Sequence, residues 1–193
     1  MLLCACPACC VDAHGLRIAP NLMMSLRNLQ LQSLLQPAET ALRDEPAQAE
    51  WSLLEPLLAA QQALLRVATL GGHPVGQALI LLQPSPAWEA LWRTTTQRSA
   101  PDVQALSTWL QQQQSGLLSE MYVRPGYRRL GIARTLLRDA VGQGRRAALR
   151  HLALHVAADN VAAQSLYQQH GFVRCANPVP DDPLWFYWAP LSV

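Results

Sequence analysis

The sequence contains no lysine; all fifteen of its basic residues are arginine. That absence removes two enzyme classes at once. A phosphate-binding loop of the G-K-[ST] type needs its lysine on the β- and γ-phosphates, and pyridoxal-phosphate chemistry needs one for the Schiff base. Charge is scarce too, at 15% of residues where an average domain has roughly 25%. A formal net charge of +2 is too small to suggest nucleic acid or an acidic membrane surface as a partner. Long apolar runs are missing as well. "VGQALILLQP" is of strand length, well short of the ~20 residues a membrane-crossing helix needs. A soluble protein is the expectation.

Cysteine is rare outside one place. "CACPACC" holds Cys4, Cys6, Cys9 and Cys10, while Cys175 stands alone, so no disulfide framework is implied and a reducing cytoplasm fits. The cluster lacks a second C-x-x-C pair and any standard zinc-knuckle spacing, and no signal-peptide pattern surrounds it. Residues 1–22 are therefore expected to be an unstructured, cysteine-rich tail without a metal. Half of the 193 residues are apolar. That suffices for one core, expected in a single domain over residues 23–193.

Periodicity organises the rest. "SLRNLQLQ" alternates as a short strand, and "PAETALRDEPAQAEWSLLEPLLAAQQ" reads as helical segments broken at Pro46 and Pro56. Two apolar runs around Gly71-Gly72 predict an antiparallel hairpin. Residues 84–116 read as an insertion of two short helices, with Trp88 and Trp92 as core anchors. "GLLSEMYV" is a strand that, without a bulge, puts Leu117, Met121 and Val123 opposite Leu118, Glu120 and Tyr122. Ala133, Leu136, Leu137, Ala140 and Val141 make one stripe of a helix opening after Gly131. "HLALHV" is a strand with Leu152, Leu154 and Val156 on one side and His151 and His155 on the other. Asp159 or Asn160 then caps a helix carrying Ala163, Leu166, Tyr167 and His170, stopped by Gly171. Asp181 and Asp182 fall in the turn before the last strand, "LWFYWAPL", where they could attract a cation, with a solvated turn as the default reading. The class is α/β with a mixed sheet.

Two glycine-containing stretches invite comparison. "GQGRRA" mimics a dinucleotide fingerprint but follows a helix and leads into a strand, the reverse of the required order, so it reads as a helix end. "RRLGIA" follows a strand and opens a helix. There, unpaired N–H groups gather at the positive end of the helix, and Arg128 and Arg129 add charge. Alone, it fits an anion cradle and a plain helix start equally.

The segments "YVRPGYRRLGIARTLL", "LALHVAADN" and "NVAAQSLYQQHGF" together resemble the GNAT superfamily of acyl-CoA-dependent N-acetyltransferases. Arg128, Gly131 and Ala133 meet its R/Q-x-x-G-x-G/A pattern. Asn160, Ala163, Leu166, Tyr167, Gly171 and Phe172 meet its second signature. The resemblance spans residues 64–191 and is strongest from 117 to 173. The insertion at 84–116 departs from it, as do Arg129 and Leu130, where many members carry a glycine and a second basic residue.

The resemblance implies a central mixed sheet flanked by helices, with splayed parallel strands (117–123 and 151–157) holding acetyl-CoA. It implies backbone N–H groups of Met121, Tyr122 and Val123 against the pantetheine and thioester. The pyrophosphate would rest on Arg128, Arg129, Leu130, Gly131, Ile132, Ala133 and Arg134, with Asn160 as a further cofactor contact. Glu120 becomes the candidate base and Tyr167 the candidate acid. The partners implied are acetyl-CoA and the primary amine of a small molecule or peptide, with a homodimer allowed and no metal, nucleic acid or membrane. The alternative is a catalytically idle acyl-CoA-binding module. An RNA-binding patch built on Arg145, Arg146 and Arg150 fits poorly, because no aromatics interleave there.

Overall fold

Gly71 and Gly72 take φ values of 59° and 82°, the left-handed geometry of the two-residue turns that match strand twist. They join β2 (Ala63–Leu70) to β3 (His73–Leu81) as the expected hairpin, with Leu70 paired to His73. A computed structural model of the chain describes residues 29–33 and 48–191. The expectations for the cysteine-rich tail and for Pro46 lie outside these residues.

Further elements follow in chain order. β1 (Leu29–Ser33) and α1 (Gln48–Ala59) precede the hairpin; α2 (Pro86–Thr96), α3 (Ala100–Gln112) and β4 (Ser115–Val123) follow it. Then come α4 (Ile132–Arg146), β5 (His151–Ala157), α5 (Val161–Gln168), β6 (Val173–Cys175) and β7 (Leu184–Pro190). The seven strands form one sheet in the order β1-β2-β3-β4-β5-β7-β6. Among the described residues only β4 and β5 are parallel neighbours; every other pair is antiparallel.

Helices cover both faces. Ile132, Leu136, Leu137 and Ala140 of α4 pack with Tyr167 of α5 against Leu152, Leu154 and Val156. On the opposite face Leu57 and Leu58 of α1, Trp88 and Trp92 of α2 and Leu106 and Leu110 of α3 cover Leu65, Leu79, Ala153 and Phe186. The two helices expected at 84–116 are both present. Ser85 and Ser99 cap them by accepting from Trp88 N–H and Asp102 N–H.

Two expectations are corrected. Helix α1 runs through Pro56 to Ala59 instead of breaking there. The proline lies in the last turn, where it forfeits one intrahelical bond, and burial of Leu57 and Leu58 outweighs that loss. Strand β6 was not expected: three residues are too few to show alternation. Its pairing with Trp188, Tyr187 and Phe186 of β7 makes it a strand.

Candidate active site

Strands β4 and β5 pair only from Ser115↔His151 to Leu118↔Leu154. Beyond that rung β4 stays with β3 up to Val123, and β5 stays with β7 up to Ala157. The two parallel strands therefore fork, as expected, leaving the inner edges of Ser119–Val123 and His155–Ala157 without each other as partners. A fork in a sheet presents backbone donors and acceptors to an extended guest.

Within the fork β4 carries a bulge. Ser119 pairs with Leu79 and Tyr122 with Gln77, so Glu120 and Met121 together oppose Ala78, and Glu120 takes a φ of 47°. The extra residue reverses the alternation beyond it. Leu118, Met121 and Val123 share the α4 face, while Leu117 and Tyr122 share the other. The bulge-free face assignment is thereby overturned, and Glu120 does not alternate with Tyr122 as a regular strand would require. Glu120 is exposed. A left-handed φ at a non-glycine residue costs on the order of 1–2 kcal/mol, which the flanking pairings must hold in place.

The β4–α4 connection is a 3-10 turn at Pro125–Tyr127 followed by a tight entry to the helix. Buried Tyr127 anchors the turn, and Arg124 N–H donates to Val75 O at 3.0 Å. Arg128 donates from Nε to Val123 O at 3.0 Å and stands 6.0 Å over the Tyr122 ring, so part of its donor set ties down the end of β4. Arg129 adopts a φ of 65°.

Gly131 is the N-cap of α4, at φ 85°, and offers no side-chain acceptor to the first turn. Its carbonyl takes Thr135 N–H at 3.0 Å, so Ile132, Ala133 and Arg134 are the residues whose N–H groups a helix start leaves without an intrahelical acceptor. A Cβ built on Gly131 meets nothing within 4 Å, and no acidic residue lies in that first turn. Uncapped N–H groups, free room at Gly131 and exposed Arg129 and Arg134 are a donor set that could hold a multiply charged anion. The chemistry of this donor set fits a diphosphate.

The second signature helix is positioned differently. Asn160 accepts from Ala163 N–H at 3.1 Å and so caps α5. Buried Gln164 donates to both Ala157 O and Ala158 O at 2.9 Å, securing the end of β5. The sequence patterns did not single out Gln164. Tyr167 is buried on the α4 face against Phe172, ring centroids 5.9 Å apart, and burial pushes its phenol up to about 12.

On the other face, at the first rung past the fork, a second polar cluster replaces the expected solvated turn. Asp182 has a fully buried side chain. It accepts from Arg98 Nη2 at 2.7 Å and from Leu184 N–H at 2.9 Å, both on Oδ1. Arg98 Nη1 lies 2.7 Å and His155 Nε2 3.5 Å from its Oδ2. Burial drives His155 down to about 4; the nearby Arg98 charge adds to this, while Asp182 and a hydrogen bond with Asn177 oppose it. For Asp182, burial acts upward, but Arg98, Leu184 N–H and His155 outweigh it, and the carboxyl stays below its usual range. Arg98 and Asp182 are 84 residues apart. Spacing could not have joined them, and alternation alone could not tell His155 from a core histidine. His151 has a structural place, stacked on Trp188 at 4.3 Å with Nδ1 3.1 Å from Gln113 O.

No helix among the described residues is long and apolar enough to cross a membrane. No curated protein matches the sequence. Among solved structures, an acetyltransferase from Streptococcus agalactiae is similar at a TM-score of 0.59 and 11% identity, over 85% of this chain and 99% of that one. An N-acetyltransferase from Staphylococcus aureus and Ard1 from Thermoplasma volcanium each reach a TM-score of 0.57 at 18% identity, over 86% of this chain and 99% of theirs. At such identities the likeness speaks for the fold. The family model described as the acetyltransferase (GNAT) family matches residues 25–172, three quarters of the sequence, and the chain belongs to that family.

Proposed function

We propose that the protein transfers an acetyl group from acetyl-CoA to the primary amine of a small molecule or peptide, by direct attack. The observation that carries this reading is the forked pair of strands flanked on one face by an uncapped, arginine-lined helix start. In the reaction an N–C bond forms and the thioester C–S bond breaks. One proton leaves the nitrogen and one ends on the CoA sulfur.

In this reading the N–H groups of Ile132, Ala133 and Arg134, with Arg129, hold the diphosphate, and Arg128 steadies the strand end beside it. Backbone N–H groups near Met121 and Val123 meet the pantetheine arm. One such donor on the thioester oxygen is worth about 3 kcal/mol in the transition state. Bringing an alkylammonium of pKa ~10.4 to its free base at pH 7 costs about 4–5 kcal/mol, so the site must favour the neutral amine. Glu120, turned outward at the bulge, is the candidate acceptor for the proton lost after attack.

Tyr167 is the candidate donor to the departing sulfur. With its phenol near 12 and a thiol near 8.5, complete transfer is uphill by about 5 kcal/mol. Its contribution is a hydrogen bond that persists at every working pH, and the thiolate takes its proton afterwards.

The test is purified protein with acetyl-CoA and a panel of amines, amino sugars and short peptides, followed by thiol release, with CoA affinity measured by calorimetry. Turnover of at least one amine is expected. CoA binding without turnover of any amine would leave a binding module, and absence of CoA binding would sink both readings.

A further inference from the structure

Resting on that reading, we infer that His155, Asp182 and Arg98 form a charge-neutral recognition site for the acceptor amine, on the sheet face opposite the anion-binding helix start. Three observations carry it.

The first is position. His155 is the first residue of β5 beyond its last rung with β4, so it sits at the apex of the fork. Its neighbours Trp92 and Phe186 lie on the α2/α3 face, whereas Gly131 and α4 lie on the other. A group at His155 and a group bound along the fork from the α4 side approach the same gap from opposite faces.

The second is unmet hydrogen bonding. His155 Nε2, Asp182 Oδ2 and Arg98 Nε are all buried and none makes an aligned hydrogen bond. The 2.7 Å contact of Arg98 Nη1 with Asp182 Oδ2 is an ion-pair contact off the hydrogen-bond direction, so that oxygen keeps lone-pair capacity. Leaving a buried polar atom without a partner is unfavourable. Two of them, Asp182 Oδ2 and His155 Nε2, are acceptors, and together at the apex of the fork they point to a guest that carries donors. Asp182 Oδ2 and His155 Nε2 are 3.5 Å apart, a spacing that lets one small N–H group reach both. The backbone on either side is also held in sparsely populated geometry: Gln97 and Asp181, which precede Arg98 and Asp182, have φ values of 54° and 57°.

The third is charge. Asp182 and Arg98 are the charged groups set against His155; Trp92 and Phe186 present uncharged faces, and Asn177 a neutral amide. Arg98 cancels Asp182, leaving no net charge for an ammonium to neutralise. Burying an uncompensated cation is unfavourable, so the site selects the neutral, nucleophilic form of the amine. Arg98 thus acts through Asp182 as a positioning residue. Its purpose is to prevent capture of the unreactive ammonium.

The experiment compares Arg98→Gln, Asp182→Asn, the double variant R98Q/D182N, His155→Gln and His155→Leu, using the amine that turns over best with the unmodified protein. Arg98→Gln leaves Asp182 unbalanced. It should tighten amine binding while moving the alkaline rise of kcat upward by about one pH unit or more. The double variant restores neutrality and should return that profile to its original position. His155→Leu should raise the amine KM by about tenfold or more, and His155→Gln, which keeps an acceptor, should recover most of it. CoA affinity should be unchanged throughout. If the variants fold, bind CoA and show the original amine KM and pH profile, this inference is wrong, and a fall in stability alone would mark the cluster as structural. Should Arg98→Gln fail to fold, the neutral double variant and the His155 pair decide the matter. Intact CoA binding with no amine turned over by the unmodified protein would remove the functional reading, and this inference with it.

Discussion

Replacing Gly131 by alanine separates an anion cradle from an ordinary helix start, because the structure supplies its own control. Gly131 and Gly72 have φ values of 85° and 82°, and a Cβ built on either meets nothing within 4 Å. Alanine at each site therefore incurs the same backbone penalty, on the order of 1–2 kcal/mol, without steric conflict. For a domain of this size that is a fall in Tm of about 2–8 °C, matched between the two variants. The difference lies in what each Cβ faces. At Gly72 it faces the solvent beyond a hairpin tip. At Gly131 it sits on the N-cap residue that directly precedes the Ile132, Ala133 and Arg134 N–H groups. Losing one or two charge-assisted hydrogen bonds there, at about 1.5–3 kcal/mol each, should weaken CoA binding by roughly tenfold to a hundredfold or more. Calorimetry with CoA, with thermal unfolding alongside, measures both quantities. A pantetheine thioester lacking the diphosphate should show no difference between the variants. Equal CoA affinity in Gly131→Ala and Gly72→Ala would refute the cradle.

Other expectations follow from named contacts. Tyr167→Phe should lower kcat by about a hundredfold while leaving CoA affinity intact, and an unchanged kcat would remove the donor role. The phenol's folded value near 12 lies above its unfolded value near 10, so its contribution to stability is complete below pH 10 and is lost as pH rises toward 12. In urea titrations Tyr167→Phe should therefore lose less stability across that window than the unmodified protein. His155 runs the other way: its folded value near 4 lies below 6.5, so stability is present above 6.5 and falls as pH drops toward 4. His155→Gln should flatten that part of the acid profile in the same titrations. Gly76→Ala brings a Cβ to 3.1 Å from Ile132 Cγ2 and from Tyr122 O, and should cost about 1–3 kcal/mol while disturbing the start of α4. CoA affinity should fall with it, since that first turn is what the new methyl displaces.

The parts of this fold legible in the sequence were those written in short-range periodicity. The hairpin at Gly71-Gly72, the α4 stripe, the side preference of Leu152, Leu154 and Val156, and the Asn160 cap all rest on neighbours within four residues. The proposed anion cradle was half legible. Its place between strand and helix was readable, but the engagement of Arg128 with Val123 O depends on how the 3-10 turn folds back. The Arg98–Asp182 pair was not legible at all, because two loops 84 residues apart meet only once the sheet has formed.

The bulge at Glu120 shows why one unreadable residue matters more than its size suggests. Side-chain direction in a strand has period two, so a single inserted residue exchanges the faces of everything after it. Had β4 continued regularly, Met121 and Val123 would have left the α4 core, and Tyr122 would have joined it. The bulge keeps Val123 buried on the α4 side and interrupts the β3–β4 ladder, which resumes at Gln77↔Tyr122. Bulges bend the strand that carries them, and this one lies just beyond the last rung that β4 and β5 share. The local cost at Glu120 and the opening between the strands are thus linked. A sequence change that removed the bulge would tend to close the gap in which the Gly131 face and the His155 face meet.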